Sequence, residues 1–147
     1  MYLCPSIYRY MLIEEKTDMS FSKEERLCSK KSIDKLFAEG SSFIAYPLRV
    51  VYTCEKREDS DNLLPEIMIS VSKRKFKRAV KRNRVKRLIR EGYRQNKHLL
   101  IDLINHKQLH IDIAFLYLKD ELPVYEDIEK AILKTINILS EKLKDDV

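Results

Sequence analysis

The stretch ISVSKRKFKRAVKRNRVKRLIREGYRQNK, residues 69–97, decides the fold, because the hydrophobic period changes inside it. At its start, in EIMISVS (66–72), Ile67, Ile69 and Val71 alternate with Met68, Ser70 and Ser72, the period of a strand with two unlike faces. From Val85 the apolar positions are 85, 88, 89, 92 and 93, which form one stripe of a helix. The bases at 84, 86, 87, 90, 94 and 97, with Asn83, fill the opposite arc. Lys81 and Arg82 fall off that arc and are assigned to the turn entering the helix. Asn83, at the helix entry, has two roles open to it: capping the helix or hydrogen-bonding a ligand. A strand feeding such a helix implies that the apolar stripe packs on a sheet and the charged arc faces outward.

The arc is nearly one-signed. Residues 73–97 hold thirteen of the chain's twenty-nine Lys and Arg but one of its twenty-three acids, Glu91, a local balance of +12; the other 122 residues carry −6. A merely solvated face mixes signs, because like charges at i+3 and i+4 repel by a few tenths of a kcal/mol per pair. Here Arg84, Arg87, Arg90 and Arg94 stack with scarcely any relief. Such a surface suits a polyanion, and the arginine fork makes bidentate phosphate contacts. With six to eight phosphates touched, log K against log salt falls with a slope of roughly −4 to −7. A helix-turn-helix reader would need a preceding helix where this chain has a strand, and a basic zipper would need heptads beyond the helix. A membrane-surface helix would need the apolar stripe that the core uses.

The remaining elements follow outward from this stretch. A helix is expected over 32–39, with Ser32 as its cap, Ile33, Leu36 and Phe37 at helical spacing and Gly40 as its stop. Leu48, Val50 and Tyr52 alternate with Arg49, Val51 and Thr53 as a strand, with a shorter one at 42–45; residues 55–65 read as a loop. HIDIAFLYL (110–118) is the most apolar strand, and a last helix over about 124–143 turns Ile128, Ile132, Ile136, Leu139 and Leu143 inward. The sum is a single α+β domain with one β-α-β step.

Composition limits the alternatives. The 147 residues are 44% hydrophobic with two Gly, enough for one packed core and too few glycines for a glycine-rich phosphate loop. Three cysteines with no C-x-x-C pair imply no disulfide framework, and Cys28 and Cys54 are expected to pack as small hydrophobes. No signal peptide or membrane span is evident, so the expected compartment is the cytoplasm. Residues 1–20 are read either as an N-terminal extension without fixed structure or as sequence upstream of a true start at Met19; the domain proper is 21–147. His98, His106 and His110 are read as loop histidines, not metal ligands, and no self-sufficient catalytic set emerges. Charge alone would equally allow a non-enzymatic RNA-binding module, such as a ribosomal or RNA-chaperone protein.

A resemblance narrows this. S-V-S-K at 70–73, A-V at 79–80 and R-N-R-x-K-R-x-x-R from Arg82 to Arg90 resemble the signature of the bacterial ribonuclease P protein component, and RLCSKKSIDKLFAEG (26–40) extends the similarity upstream. The resemblance implies α-β-β-β-α-β-α order, a central, mostly antiparallel four-stranded sheet and a left-handed β-α-β crossover. It implies a protein subunit of an endoribonuclease whose catalytic RNA holds the active site and Mg²⁺ and removes the 5′ leader of precursor tRNA. No catalytic residue, organic cofactor or obligate protein partner is then expected of the chain. Lys73, Lys81, Arg82, Asn83, Arg84, Lys86, Arg87 and Arg90 would face the catalytic RNA. Ile33, Phe37 and Tyr52 would line the leader cleft, with Tyr52 one residue farther from Gly40 than the family spacing.

Overall fold

The computed structural model describes residues 23–57 and 63–145; the N-terminal extension lies outside the described residues. A turn of 3₁₀ helix at Lys23–Glu25 precedes α1 (Lys30–Glu39), β1 (Ser41–Ala45), β2 (Leu48–Lys56), β3 (Glu66–Ser70), α2 (Ala79–Lys107), β4 (Leu109–Tyr117) and α3 (Tyr125–Asp145). The strands form one sheet in the order β1-β2-β4-β3. β1/β2 and β2/β4 are antiparallel, and β3/β4 is parallel, so α2 is the crossover of the expected β-α-β step. Arg26 bridges to Ile67, and the Leu27 amide donates to the Ile67 carbonyl at 2.9 Å, extending the sheet beyond β3.

Two apolar clusters cover the two faces of the sheet. Leu48, Val50 and Tyr52 of β2 and Ile111, Ile113 and Phe115 of β4 face Val85, Ile89, Tyr93, Leu100 and Ile104 of α2 and Ile128, Ile132, Leu139 and Leu143 of α3. The Tyr93 and Phe115 rings sit 6.3 Å apart at the centre. On the other face, Leu27 and Leu36 bury against Val51 and Ala114, with Ile33, Met68 and Leu116 half-buried beside them. The helical stripe read from residues 85–93 is buried except for the half-buried Leu88, and the inward face read from residues 128–143 is buried throughout.

Several boundaries differ from expectation. α1 begins at Lys30, so Ser32 is its third residue and caps nothing; Ser29 holds the cap position without a side-chain hydrogen bond. Gly40 ends α1 with an extended backbone, φ −70°, rather than a left-handed one. Glycine is needed there for space, since a Cβ would stand 2.2 Å from the Leu36 carbonyl oxygen. The left-handed cap belongs to Gln108 (φ 55°), which turns α2 into β4. β2 runs on to Lys56, beyond the loop start read at 55. α2 begins six residues before Val85, so Lys81 and Arg82 lie in its first turn, not in the preceding loop. His106 lies in the last turn of α2, and His98 and His110 lie in α2 and β4, so none is a loop histidine. Cys54 packs on the core as expected, but Cys28 is exposed.

Lys97 is the largest departure. The helical wheel put it on the outward arc, yet the residue is 4% exposed. Its Nζ donates to both carboxylate oxygens of the buried Glu25, at 3.0 and 3.2 Å. A partner 72 residues away is invisible to local periodicity. Truncating either member strands a buried charge, at a cost of about 3–5 kcal/mol. Lys97→Ala and Glu25→Ala should each lower the melting temperature by roughly 10 °C, and the double variant Glu25→Leu/Lys97→Met should regain most of it. Full additivity of the two single losses in thermal melts would disprove the pairing. The second glycine, Gly92, has room for a methyl, with Ile128 and Ile132 carbons 3.4 and 3.6 Å from the Cβ position. Gly92→Ala should stabilise the helix by about 0.5–1 kcal/mol, whereas Gly40→Ala should destabilise by about 1–3 kcal/mol, both read by urea denaturation.

Candidate nucleic-acid interface

The interface is built outward from one buried ring. Phe76 is buried against Tyr117, ring centres 6.0 Å apart, and pins the segment between β3 and α2 to the sheet. Ser72 shapes the turn ahead of it: its Oγ accepts from the Arg74 amide at 3.2 Å, and its carbonyl accepts from the Phe76 amide at 3.1 Å. Lys73, Arg74 and Lys75 are thereby held outward on the turn, with Lys77 and Arg78 beyond the anchor, all exposed. Lys75 Nζ donates to the Leu118 carbonyl. Lys75, Lys77, Arg78 and Lys81 line an open cavity of about 450 Å³, with Asp120 and Glu121 also on its wall.

Along α2 the arc sorts into free and engaged cations. Lys81, Asn83, Arg84, Arg87 and Arg90 are exposed, and Lys86 is half-buried on the flank. Asn83 is the fifth residue of the helix and exposed, which removes the capping role. Arg82 turns inward, and its Nη1 donates to the Phe76 carbonyl at 2.8 Å and the Lys77 carbonyl at 3.0 Å. It therefore locks the turn to the helix. Arg94 is engaged too. Its Nε and Nη2 donate to the Glu91 carboxylate at 3.0 and 2.6 Å, and Gln95 adds a third bond. Those bonds hold the Glu91 carboxyl down at about 2, so the pair stays ionised throughout the neutral range. The first turn of α2 contains no acid, so the positive end of the helix dipole adds to this field.

On the opposite face, Ile33 and Phe37 stand on α1. Ile33 is half-buried against the sheet, and Phe37 is 47% exposed. Tyr52 does not join them. It is 7% exposed and lies in the cluster under α2 and α3, edge-on to Phe43 at 5.9 Å. The residue of β2 facing α1 is Val51. A shift of one position along a strand changes the face, which is the meaning of the extra residue after Gly40. Arg49 and Ile44, paired in register, share the α1 face and are exposed. The sequence reading missed these two, along with Arg74, Lys77 and Arg78. The last three were counted in the basic segment without being singled out. Ile44 carried no signal, because β1 is too short to show a period.

Elsewhere on the α1 face, Lys35 pairs with Glu55, and His110 Nε2 lies 2.9 Å from Asp112 Oδ1. Burial and the neighbouring Asp112 push the Glu66 carboxyl above its ordinary range.

A four-stranded mixed sheet with one helix on one face, two on the other and an outward arginine arc on the crossover helix defines an α+β protein with one strongly cationic surface. The ribonuclease P family model matches residues 21–138. A ribonuclease P protein component of Porphyromonas gingivalis is 44% identical over 130 residues, covering 85% of this chain and 93% of that protein. One from Chlorobaculum tepidum is 29% identical over 145 residues, covering 93% and 94%. The fold is shared with the RNase P protein of Staphylococcus aureus (TM-score 0.59, 21% identity, 78% of this chain and 94% of that one). It is shared equally with that of Thermotoga maritima (TM-score 0.58, 23% identity, 78% and 96%). The chain belongs to the ribonuclease P protein component family, a subunit of the ribonucleoprotein endoribonuclease of tRNA 5′ processing. Among the described residues no helix is long and apolar enough to cross a membrane.

Because Glu91 is the one acid of the basic segment, Glu91→Gln should raise the net charge of the arc by one and loosen Arg94. Its affinity for structured RNA should rise, and the log–log salt slope should steepen by about 0.7–0.9, measured by filter binding across a salt series. An unchanged slope would mean that Arg94 stays outside the interface.

Proposed function

We propose that the arc of α2 holds the catalytic RNA of ribonuclease P and that the α1 face of the sheet holds the precursor tRNA leader. The observation that carries the first half is the run of exposed Arg84, Arg87 and Arg90, with the one nearby acid already tied to Arg94. Lys73, Lys81, Asn83 and Lys86 extend that surface, while Arg82 serves it by fixing the turn. Rigid guanidinium groups on a helix suit the phosphates of structured RNA, which is recognised by shape. The one acid on the α2 arc, Glu91, is tied to Arg94, so the arc suits phosphate, and the Mg²⁺ of the hydrolytic step is assigned to the RNA.

For the leader, Phe37 is the stacking group and Ile33 and Ile44 are apolar flanks, with Arg49 supplying charge. Tyr52, on the other face, is withdrawn from the cleft. Stacking contributes about 1–3 kcal/mol per base without regard to sequence, which suits leaders of varied sequence. The compartment is the cytoplasm, where the exposed thiol of Cys28 would stay reduced.

Cleavage of precursor tRNA by a bacterial ribonuclease P RNA at a few millimolar Mg²⁺ should occur at the mature 5′ end only when this protein is added. RNA binding without rescue would favour a plain RNA-binding module. Arg87→Ala and Arg90→Ala should each weaken binding of the catalytic RNA and flatten the salt slope by about 0.7–0.9. Phe37→Ala should weaken precursor binding to the holoenzyme by roughly 5- to 150-fold and spare mature tRNA; equal losses for both would move the leader away from α1.

A further inference from the structure

On the α1 face, away from the arginine arc, three metal-ligating groups converge from two neighbouring strands. His110 and Asp112 are two apart on β4 and so share a face, and the parallel register sets Glu66 of β3 beside Asp112. His110 Nε2 lies 2.9 Å from Asp112 Oδ1 and 4.0 Å from Glu66 Oε2, and one ligand atom from each residue fits within a span of 4.8 Å. The His110 and Asp112 side chains are 13% and 14% exposed, so bulk water does little to satisfy them. Asp112 Oδ1 is buried and receives no hydrogen bond, despite the nearby imidazole nitrogen. The imidazole nitrogen and the carboxylate oxygen stand close enough to share one cation.

We propose that Glu66, His110 and Asp112 form a site for one divalent transition ion, Zn²⁺ or Mn²⁺, held by the protein itself. This departs from the expectation that the histidines bind no metal. One imidazole with two carboxylates suits these ions. Mg²⁺ prefers an all-oxygen shell and keeps its waters. The separations of 2.9 and 4.0 Å bracket the distance of about 3.4 Å between ligands of a tetrahedral ion held at about 2.1 Å. The ligands sit on strand backbones fixed by register rather than on a loop, so only side-chain rotation is needed to close the site. Three protein ligands leave a position for water. The neighbouring Lys35 is paired with Glu55, which limits its competition for the carboxylates. Cys54 packs on the opposite face, in the cluster under α2 and α3, and supplies no ligand here.

The test is titration of the untagged full-length protein with Zn²⁺ alone and Mn²⁺ alone, by calorimetry. One ion per chain should bind, and His110→Ala and Asp112→Asn should each weaken binding at least about tenfold. Cys4→Ser/Cys28→Ser should bind as the wild type does. Binding that survives His110→Ala unchanged, binding lost in the cysteine variant, or no binding by the wild type would each overturn the site. Should the substitutions unfold the sheet, the wild-type chain still decides. Zn²⁺ should shift the imidazole nitrogen resonances of His110 and leave those of His98 and His106 in place; the reverse pattern would refute the assignment.

Discussion

Parallel pairing of β3 with β4 is the constraint on which the rest of the structure depends. Two adjacent strands that run the same way cannot be joined by a tight turn, so the chain must travel back along the sheet before β4 can begin. That return is α2, twenty-nine residues long. One side of the returning helix has to bury against the sheet and the other has to face solvent. The cations are therefore a property of the connection. The same sequence on a free helix would present its arginines in no fixed direction.

The sheet separates two kinds of work by its faces. Under α2 and α3 lies a deep apolar core, continuous from Leu48 to Leu143, which makes a stiff backing for the charged surface. Under α1 the cover is partial, and polar groups and exposed apolar side chains share the sheet surface with a small buried cluster. A face only half covered costs stability, and the ion pair of Glu25 with Lys97 ties the segment before α1 to the far side of the molecule. Burial of that pair is tolerable because one ammonium meets both oxygens of one carboxylate.

Much of this was legible because the decisive signals are periodic. The stripe at 85–93, the inward face of α3 and the alternation in β2 each repeat often enough to fix the element and its buried side. The misreadings share a cause: the deciding partner was distant or the segment short. Lys97 reads as solvent-facing until Glu25 is brought to it. Arg82 reads as an RNA contact alone until the carbonyls of Phe76 and Lys77 show that it also locks the turn to the helix. Tyr52 was matched by residue type, where parity along the strand decides, and parity needs the register that only the pairing with β1 and β4 supplies. His110 was read as a loop residue beside the strand, and the meeting of His110 and Asp112 with Glu66 depends on the parallel neighbour.

The position of β4 also governs the order in which the chain can fold as it is synthesised. β4 sits between β2 and β3 yet is the last strand made, at residues 109–117. Before it leaves the ribosome, the β1–β2 hairpin cannot be joined to β3, which has the short bridge of Arg26 to Ile67 but not its strand partner, and α2 has no complete surface on which to lay its apolar stripe. A nascent chain carrying one hydrophobic and one strongly cationic flank is thus left unfinished beside ribosomal RNA, to which it is drawn without selectivity. Completion of β4 withdraws the apolar flank and orients the cations in one step. Specific recognition of RNA then begins only when the sheet is whole.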